Sequence, residues 1–254
     1  MKRALMQRSA VTTFWMILSA LMTITALVGF WPTYYGPLIA GTLEAQCTAP
    51  GLAYKQCFSR PIVHLHGVVF MGWVALFTAQ AFLASRGYIA LHRKVGKAGI
   101  AYGILVVVVG LATTFNELAN GIAEGQTEAA QSGLIAPFTN IVVFTIFFGA
   151  AIAYRRQTEI HKRFMLLATM MLLIAAVLRM PVNPRLNLYF MPLFLSIWFA
   201  PVLLAMIYDY LTRRVIHPVY VIGLVSLTIL SLRHLVSNTD LWMSIARQLS
   251  RLVS

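Results

Sequence analysis

The sequence predicts an all-α integral membrane protein: a polytopic bundle of seven transmembrane helices, oriented N-in and C-out, with a C-terminal amphipathic surface helix. Hydrophobic residues make up 59% of the 254 residues and charged residues only 11%. Seven apolar runs each reach the length of about 20 helical residues that crosses a hydrocarbon core about 30 Å thick. A soluble protein of this length could not bury all of these runs, so we expect lipid around them.

The charged residues give the orientation. Of the 20 Lys and Arg residues, thirteen fall on the side of the membrane that holds the N-terminus, whereas five of the seven Asp and Glu residues fall on the other side. Because the cytoplasmic loops of membrane proteins are enriched in Lys and Arg, the N-terminus is predicted to be cytoplasmic. The net charge of +13 therefore favours contact with anionic membrane lipids and argues against binding to nucleic acid.

The predicted spans form a single transmembrane domain over residues 1–254. The first span follows a basic N-terminus, but its apolar run is too long for a signal peptide and reaches Trp31 without a small-residue cleavage site. We interpret it as a retained signal anchor. Pro61 suits the first turn of the second span, because its missing N–H would have no partner there. The seven predicted spans are residues 10–31, 61–85, 95–116, 135–154, 163–181, 187–210 and 216–235.

Two cysteines, Cys47 and Cys57, lie ten residues apart in the predicted first outer loop. In an oxidising compartment they can form a disulfide that closes a small loop. Two free thiols fit the same sequence, so the pattern leaves both states open.

The last part of the chain carries two further signals. Pro201, inside the sixth span, removes a backbone hydrogen bond and predicts a kink. Residues 238–253 are predicted to form a helix on the outer leaflet, because their apolar side chains share one side of a helix. These side chains are Leu241, Trp242, Ile245, Leu249 and Leu252, with Arg247 and Arg251 beside them.

Six histidines are the candidate ligands, and the topology sorts them into two layers of three. The inner layer holds His92, His161 and His217, and the outer layer holds His64, His66 and His234. A b-type haem needs axial imidazoles from different helices at matching depth. His92 with His161 is the best inner pair, and His64 or His66 with His234 is the best outer pair. His64 and His66 cannot both face one iron, because two residues turn about 200° around a helix.

The same histidines fit two other roles. His92, His161 and His217 have imidazoles that can bind Zn or Cu, although no carboxylate or thiolate stands beside them. Histidines on the basic side of a membrane can also contact lipid phosphates. A stripe of Gly96, Gly99 and Gly103 on one helix face would let a porphyrin approach closely, or would let another helix pack there.

Two motifs resemble known membrane proteins. Leu91-His92-Arg93-x-x-Gly96 and His161-Lys162-Arg163-Phe164-Met165 resemble elements of an uncharacterised family of bacterial multi-helix membrane proteins, so a bacterial cytoplasmic (inner) membrane is expected. The stretch from His66-Gly67 through Met71 and Trp73 to Arg86 is similar to the first core helix of cytochrome b561-type proteins. That resemblance implies transmembrane electron transfer through two bis-histidine haems. In this chain the inner histidines are predicted at helix mouths rather than within the spans.

Two functions follow as hypotheses. The first is a membrane-embedded haem b protein that transfers electrons across or along the membrane, with a quinol or another redox partner. The alternative is a non-catalytic membrane protein without a cofactor, either an accessory subunit that contacts other membrane subunits or a carrier of lipids or small molecules. Proton-coupled transport is disfavoured because no carboxylate is predicted in the middle of a span. The sequence also lacks a Gly-rich phosphate loop.

Overall fold

The computed structural model describes residues 2–43, 60–180 and 190–253, with side chains described for residues 13–43, 60–180 and 192–253. Every regular element in these ranges is a helix. The α-helices are α1 (Lys2–Phe30), α2 (Gly36–Ile39), α3 (Pro61–Ser85), α4 (Ile89–Ala123), α5 (Thr127–Gly133), α6 (Ile135–Ala153), α7 (Thr158–Leu178), α8 (Phe190–Arg213), α9 (Pro218–Leu232) and α10 (Asp240–Ser250). A π-helical turn, Trp31–Tyr35, joins α1 to α2, and a 3₁₀ turn, Arg233–Leu235, follows α9.

Seven helical segments in the described ranges are long and apolar enough to cross a membrane. The prediction of an all-α polytopic bundle with seven such helices is therefore confirmed. The segments are Thr13–Ile39, Pro61–Ser85, Ile89–Ala123, Thr127–Ala153, Thr158–Leu178, Pro192–Arg213 and Pro218–Leu235. Below, the inner end of the bundle is the end predicted to be cytoplasmic, and the outer end is the opposite one.

Two boundaries differ from the prediction in a way that affects the candidate site. The third span begins at Ile89 rather than near residue 95, because Gly87 takes a positive φ of 79° and lets the chain reverse directly after α3. The fifth span begins at Thr158 rather than near residue 163, since its polar first turn forms ion pairs. His92 and His161 are therefore each the fourth residue of their helix, and they lie in the first turn at its inner end, in line with the expectation that they stand at helix mouths.

Helix α7 is the centre of the bundle. Two thirds of its apolar window (67%) is buried, against a third or less in each of the other spans. It packs against α1, α3, α6, α8 and α9. At Gly29 the backbone of α1 lies so close to α7 that a Cβ added there would stand 2.1 Å from the Ala176 carbonyl oxygen.

The C-terminal helix α10 docks onto the outer end of the bundle. Trp242 Nε1 donates to the Gln131 carbonyl (3.0 Å), and Gln131 Nε2 donates to Ser250 Oγ (3.0 Å) in a buried contact with α5. One part of the predicted apolar side, including Trp242 and Leu249, packs on a small cluster with Leu118. The other part remains exposed: Leu241, Ile245 and Leu252.

Candidate functional sites

The inner histidine pair comes from two helices at the same end of the bundle. His161, on α7, has its Nδ1 2.8 Å from the Ala151 carbonyl oxygen at the end of α6. His92, on α4, has its Nδ1 3.2 Å from the Gln80 carbonyl oxygen on α3. The two imidazoles lie near enough to interact electrostatically, and both side chains are half-buried. A backbone carbonyl that accepts the Nδ1 proton leaves Nε2 as the nitrogen that can bind a metal.

Gln80 is a further residue of this site that the sequence did not indicate. One terminal atom of its side-chain amide lies 2.6 Å from His92 Nδ1. The Gln80 amide satisfies its neighbours with the nitrogen toward the ring: it then donates to His92 Nδ1 and to the His92 carbonyl (3.1 Å) and accepts from Gly96 N (3.2 Å), so Nε2 carries the proton of the neutral ring. With the amide oxygen toward the ring, Gln80 would accept the Nδ1 proton and Nε2 could act as a ligand. The Gln80 amide therefore selects the tautomer of His92.

The third inner histidine, His217, has a different role in the structure. Its Nδ1 accepts a hydrogen bond from Val219 N (3.3 Å) and caps the start of α9. Burial lowers the pKa of His217, and the nearby Arg163 guanidinium lowers it further. Among the described residues no three His, Cys, Asp or Glu side chains form a group that could hold a metal ion. The structure thus does not gather His92, His161 and His217 into a three-ligand site.

The three glycines of the predicted stripe have different surroundings. A Cβ at Gly96 would meet nothing within 4 Å, and one at Gly99 would meet Leu76 at 3.5 Å. A Cβ at Gly103 would stand 2.3 Å from the ring of Phe148 on α6. Gly103 thus admits an aromatic side chain and not a porphyrin, and Gly99 faces Leu76, whereas Gly96 has open space beside it.

The outer histidines do not meet. His64 Nδ1 lies 2.7 Å from the hydroxyl of Tyr34, so His64 faces the end of the first span. His66 stacks on Phe70 (ring centroids 3.8 Å apart), and its buried Nδ1 has no hydrogen-bond partner in the described part of the chain. His234 is exposed. No contact of His234 with His64 or His66 is described, so the outer pair with His234 stays a prediction, and His66 lines the cavity.

His66 lines a cavity of about 630 Å³ in the outer half of the bundle. The deep part is apolar, with Ala26, Met71 and Ile141 among its lining residues. Toward the outer end the lining becomes polar, with side chains from the π-helical turn, α3, α4, α6, the end of α7 and the turn after α9. These polar side chains are Tyr34, His66, Glu117, Asn140, Arg179 and Arg233. The cavity is within the size range of small-molecule sites, roughly 300–1,000 Å³.

A buried ion network at the inner end is the largest feature that the sequence did not indicate. Arg163 and Asp209 are 0% and 1% exposed. Arg163 Nε donates to Asp209 Oδ2 (3.1 Å), its Nη2 contacts the same oxygen, and its Nη1 donates to Glu159 Oε2 (2.7 Å). Glu159 also accepts from Arg213 (2.6 Å) and Lys162 (3.0 Å). The network ties α7 to α8 and explains why so basic a helix start can be buried.

The predicted disulfide stays a prediction, because Cys47 and Cys57 lie outside the described residues.

No family model, no curated protein and no solved structure matches this chain, so no comparison adds to what the sites themselves indicate.

Proposed function

We propose that this protein is a haem b protein of the bacterial cytoplasmic membrane that transfers electrons, with His92 and His161 as the axial ligands of an inner haem. The observation that carries the proposal is the shared arrangement of these two imidazoles. Each comes from a different helix at the same end, and each has Nδ1 within hydrogen-bond distance of a backbone carbonyl. In the tautomer that donates Nδ1–H to this carbonyl, Nε2 is free to bind iron. Carbonyl acceptors of this kind orient ligating histidines and raise their basicity.

Two features of the surroundings fit this role. Gly96 leaves open space on α4, one turn along the helix from His92. Arg86 and Arg93 are exposed at the same end and can interact with propionate groups or lipid phosphates. A bound haem supplies one-electron exchange, and the protein residues set its position and its solvation.

A reduced-minus-oxidised visible spectrum of the purified protein tests the proposal. We expect b-type bands in the wild type and in His234→Ala, which changes an exposed histidine. We expect their loss in His92→Ala and in His161→Ala, because either change removes an axial ligand. Absence of bands from a wild type expressed with sufficient haem, or bands that survive the double change, would show that the assignment is wrong.

The second candidate is a carrier that binds a lipid or small molecule without a cofactor. The cavity of about 630 Å³ favours it, because the cavity has an apolar depth and a polar end, which is the usual composition of a ligand site. In that case Gly103 serves helix packing, as its contact with Phe148 indicates. Haem and metal analysis of the purified protein separates the two candidates: a protein that contains neither, yet binds a ligand in the cavity, is a carrier.

A further inference from the structure

We infer that the outer cavity binds a single-chain amphiphile with one anionic oxygen head group, of the long-chain carboxylate class. The inference deepens the carrier hypothesis by naming its ligand class, and it is independent of the haem at the inner end. It rests on three features of the cavity: the buried Arg233 guanidinium, which has no ion-pair partner among the described residues; the guanidinium of Arg179 at the same end; and the apolar inner part of the cavity.

Arg233 is the first feature. It is 6% exposed, and its described partners are neutral: Nη1 donates to Asn140 Oδ1 (2.6 Å) and approaches Thr139 Oγ1 (3.4 Å). Its Nε is buried without a hydrogen-bond partner, and no carboxylate forms an ion pair with it among the residues that the structure describes. A buried charge without a counter-charge is costly, and an oxyanion in the cavity would supply both the charge and the missing acceptor.

Arg179 is the second cation at this end. Its guanidinium lies over the Phe30 ring, 5.5 Å from the centroid, and Nη1 donates to the Ala175 carbonyl (2.9 Å). Arg179 is partly buried where α7 ends. Among the described lining residues the acidic one is Glu117, which lies 4.0 Å from Arg60. The described lining holds two arginines and one carboxylate, and a head group with one negative charge complements it.

The shape of the cavity selects a single chain. Its deep wall is built from aliphatic and thioether side chains such as Val74, Met71 and Met171. At about 630 Å³ the cavity suits one alkyl chain, and a phospholipid with two long chains exceeds it. The Tyr34-Tyr35 π-helical turn forms part of the polar end, and π-helical turns are frequent at functional sites.

Competition against a photoactivatable fatty acid tests the inference on the full-length protein in detergent. The competitors are myristate, tetradecanol with the same chain and no charge, and phosphatidylglycerol with an anionic phosphate and two chains. We expect myristate to compete at least about tenfold better than tetradecanol, the size expected for charge-assisted hydrogen bonds. Cross-links should map to cavity-lining residues of α6 and α7.

The variants assign the preference to the cavity. We expect Arg233→Gln to lose the preference for myristate, and Arg233→Lys, which keeps the charge, to retain most of it. Arg156→Gln, at an exposed arginine in the inner turn at the opposite end of the bundle, should leave it unchanged. Equal competition by myristate and tetradecanol in the wild type overturns the inference, and so does stronger competition by phosphatidylglycerol. The visible spectrum does not enter this test, so failure here leaves the haem proposal standing and failure of the haem proposal leaves this site standing.

Discussion

At the scale of single residues, the Arg163–Asp209 pair shows what a linear pattern can and cannot reveal. The run His161-Lys162-Arg163 marks the basic end of a span, and this supports the predicted orientation of the chain. The sequence does not show that Arg163 turns inward to an aspartate that is 46 residues away along the chain. Only the side-by-side packing of α7 and α8 creates that contact, and it converts a surface charge into a buried one.

We expect Asp209→Leu to lower the stability of the protein strongly. The change leaves the Arg163 guanidinium buried with only Glu159 to oppose it, and breaking a buried pair by removing one partner costs about 3–5 kcal/mol. Unfolding in detergent followed by circular dichroism measures the effect. Glu128→Gln, at an exposed site on α5, is the control and should change the free energy of unfolding by no more than about 0.5 kcal/mol.

A double change makes this prediction specific to the pair. Arg163→Met with Asp209→Leu replaces both charges by apolar side chains, so neither partner is left buried and alone. We expect the double variant to be more stable than Asp209→Leu. Additive losses would mean that the two residues do not act as a pair.

Protonation of His217 should make the stability of the folded protein depend on pH, in a direction that can be stated. Its neutral ring accepts from Val219 N and caps α9, and its pKa is lowered by burial and by Arg163. The folded-state pKa of His217 lies below the unfolded value of about 6.5. The stabilisation by the neutral His217 cap is therefore fully present above about pH 6.5, and it is lost as the pH falls from 6.5 through the folded-state pKa.

The measurement is the difference between the wild type and His217→Asn, since other histidines titrate in both proteins. Asparagine is a good N-cap without a titrating group. We expect the melting temperature of the wild type to fall more than that of His217→Asn between pH 7 and pH 5. The charged groups near His217, namely Glu159, Lys162, Arg163 and Asp209, are identical in both proteins. Equal falls would show that His217 does not link protonation to stability.

At the scale of helices, close approach at glycine fixes how α1 crosses α7. We expect Gly29→Ala to destabilise the bundle by about 1–3 kcal/mol, the usual cost of an overpacked core. The added Cβ would stand 2.1 Å from the Ala176 carbonyl oxygen, and backbone atoms cannot move aside as a flexible side chain can.

Gly149→Ala is the matched control within α6. A Cβ there meets nothing within 4 Å, so the substitution adds no contact and raises helix propensity by up to about 1 kcal/mol. Thermal unfolding of the two variants in the same detergent should move in opposite directions. If Gly29→Ala is as stable as the wild type, the crossing of α1 and α7 is looser than the structure has it.

Helices and sites differed in how far the sequence could predict them, and the reason is physical. Apolar length is a local property, so all seven spans were predicted. The boundaries were less accurate where polar turns extend an apolar run, as at the end of α4, which lies at Ala123 rather than near residue 116. The direction in which a side chain points depends on tertiary packing and is not a local property. His64 points to Tyr34, whereas His66 points to the cavity. The same holds for Arg233, whose role depends on Asn140, 93 residues earlier in the chain.

At the scale of the whole molecule, orientation ties the two sites to the two sides of the membrane. Seven spans place the chain ends on opposite sides, and the basic loops predict that His92 and His161 lie toward the cytoplasm. The cavity with Arg233 then lies toward the outside. Electrons entering at the inner histidines and a ligand entering at the outer cavity would therefore come from different compartments, so the orientation decides which donors and ligands each site can meet.

Cysteine labelling tests this orientation in intact bacterial spheroplasts, with Cys47 and Cys57 first replaced by serine. Gln157 lies in the inner turn before α7 and Gln248 on α10, and both side chains are exposed, so Gln157→Cys and Gln248→Cys form a matched pair. A membrane-impermeant maleimide should label Gln248→Cys in intact spheroplasts and Gln157→Cys only after lysis. The reverse result would invert the bundle and bring the Arg233 cavity to the cytoplasm. Labelling of both before lysis would mean that the two turns do not lie on opposite sides, which contradicts a seven-span path between the chain ends.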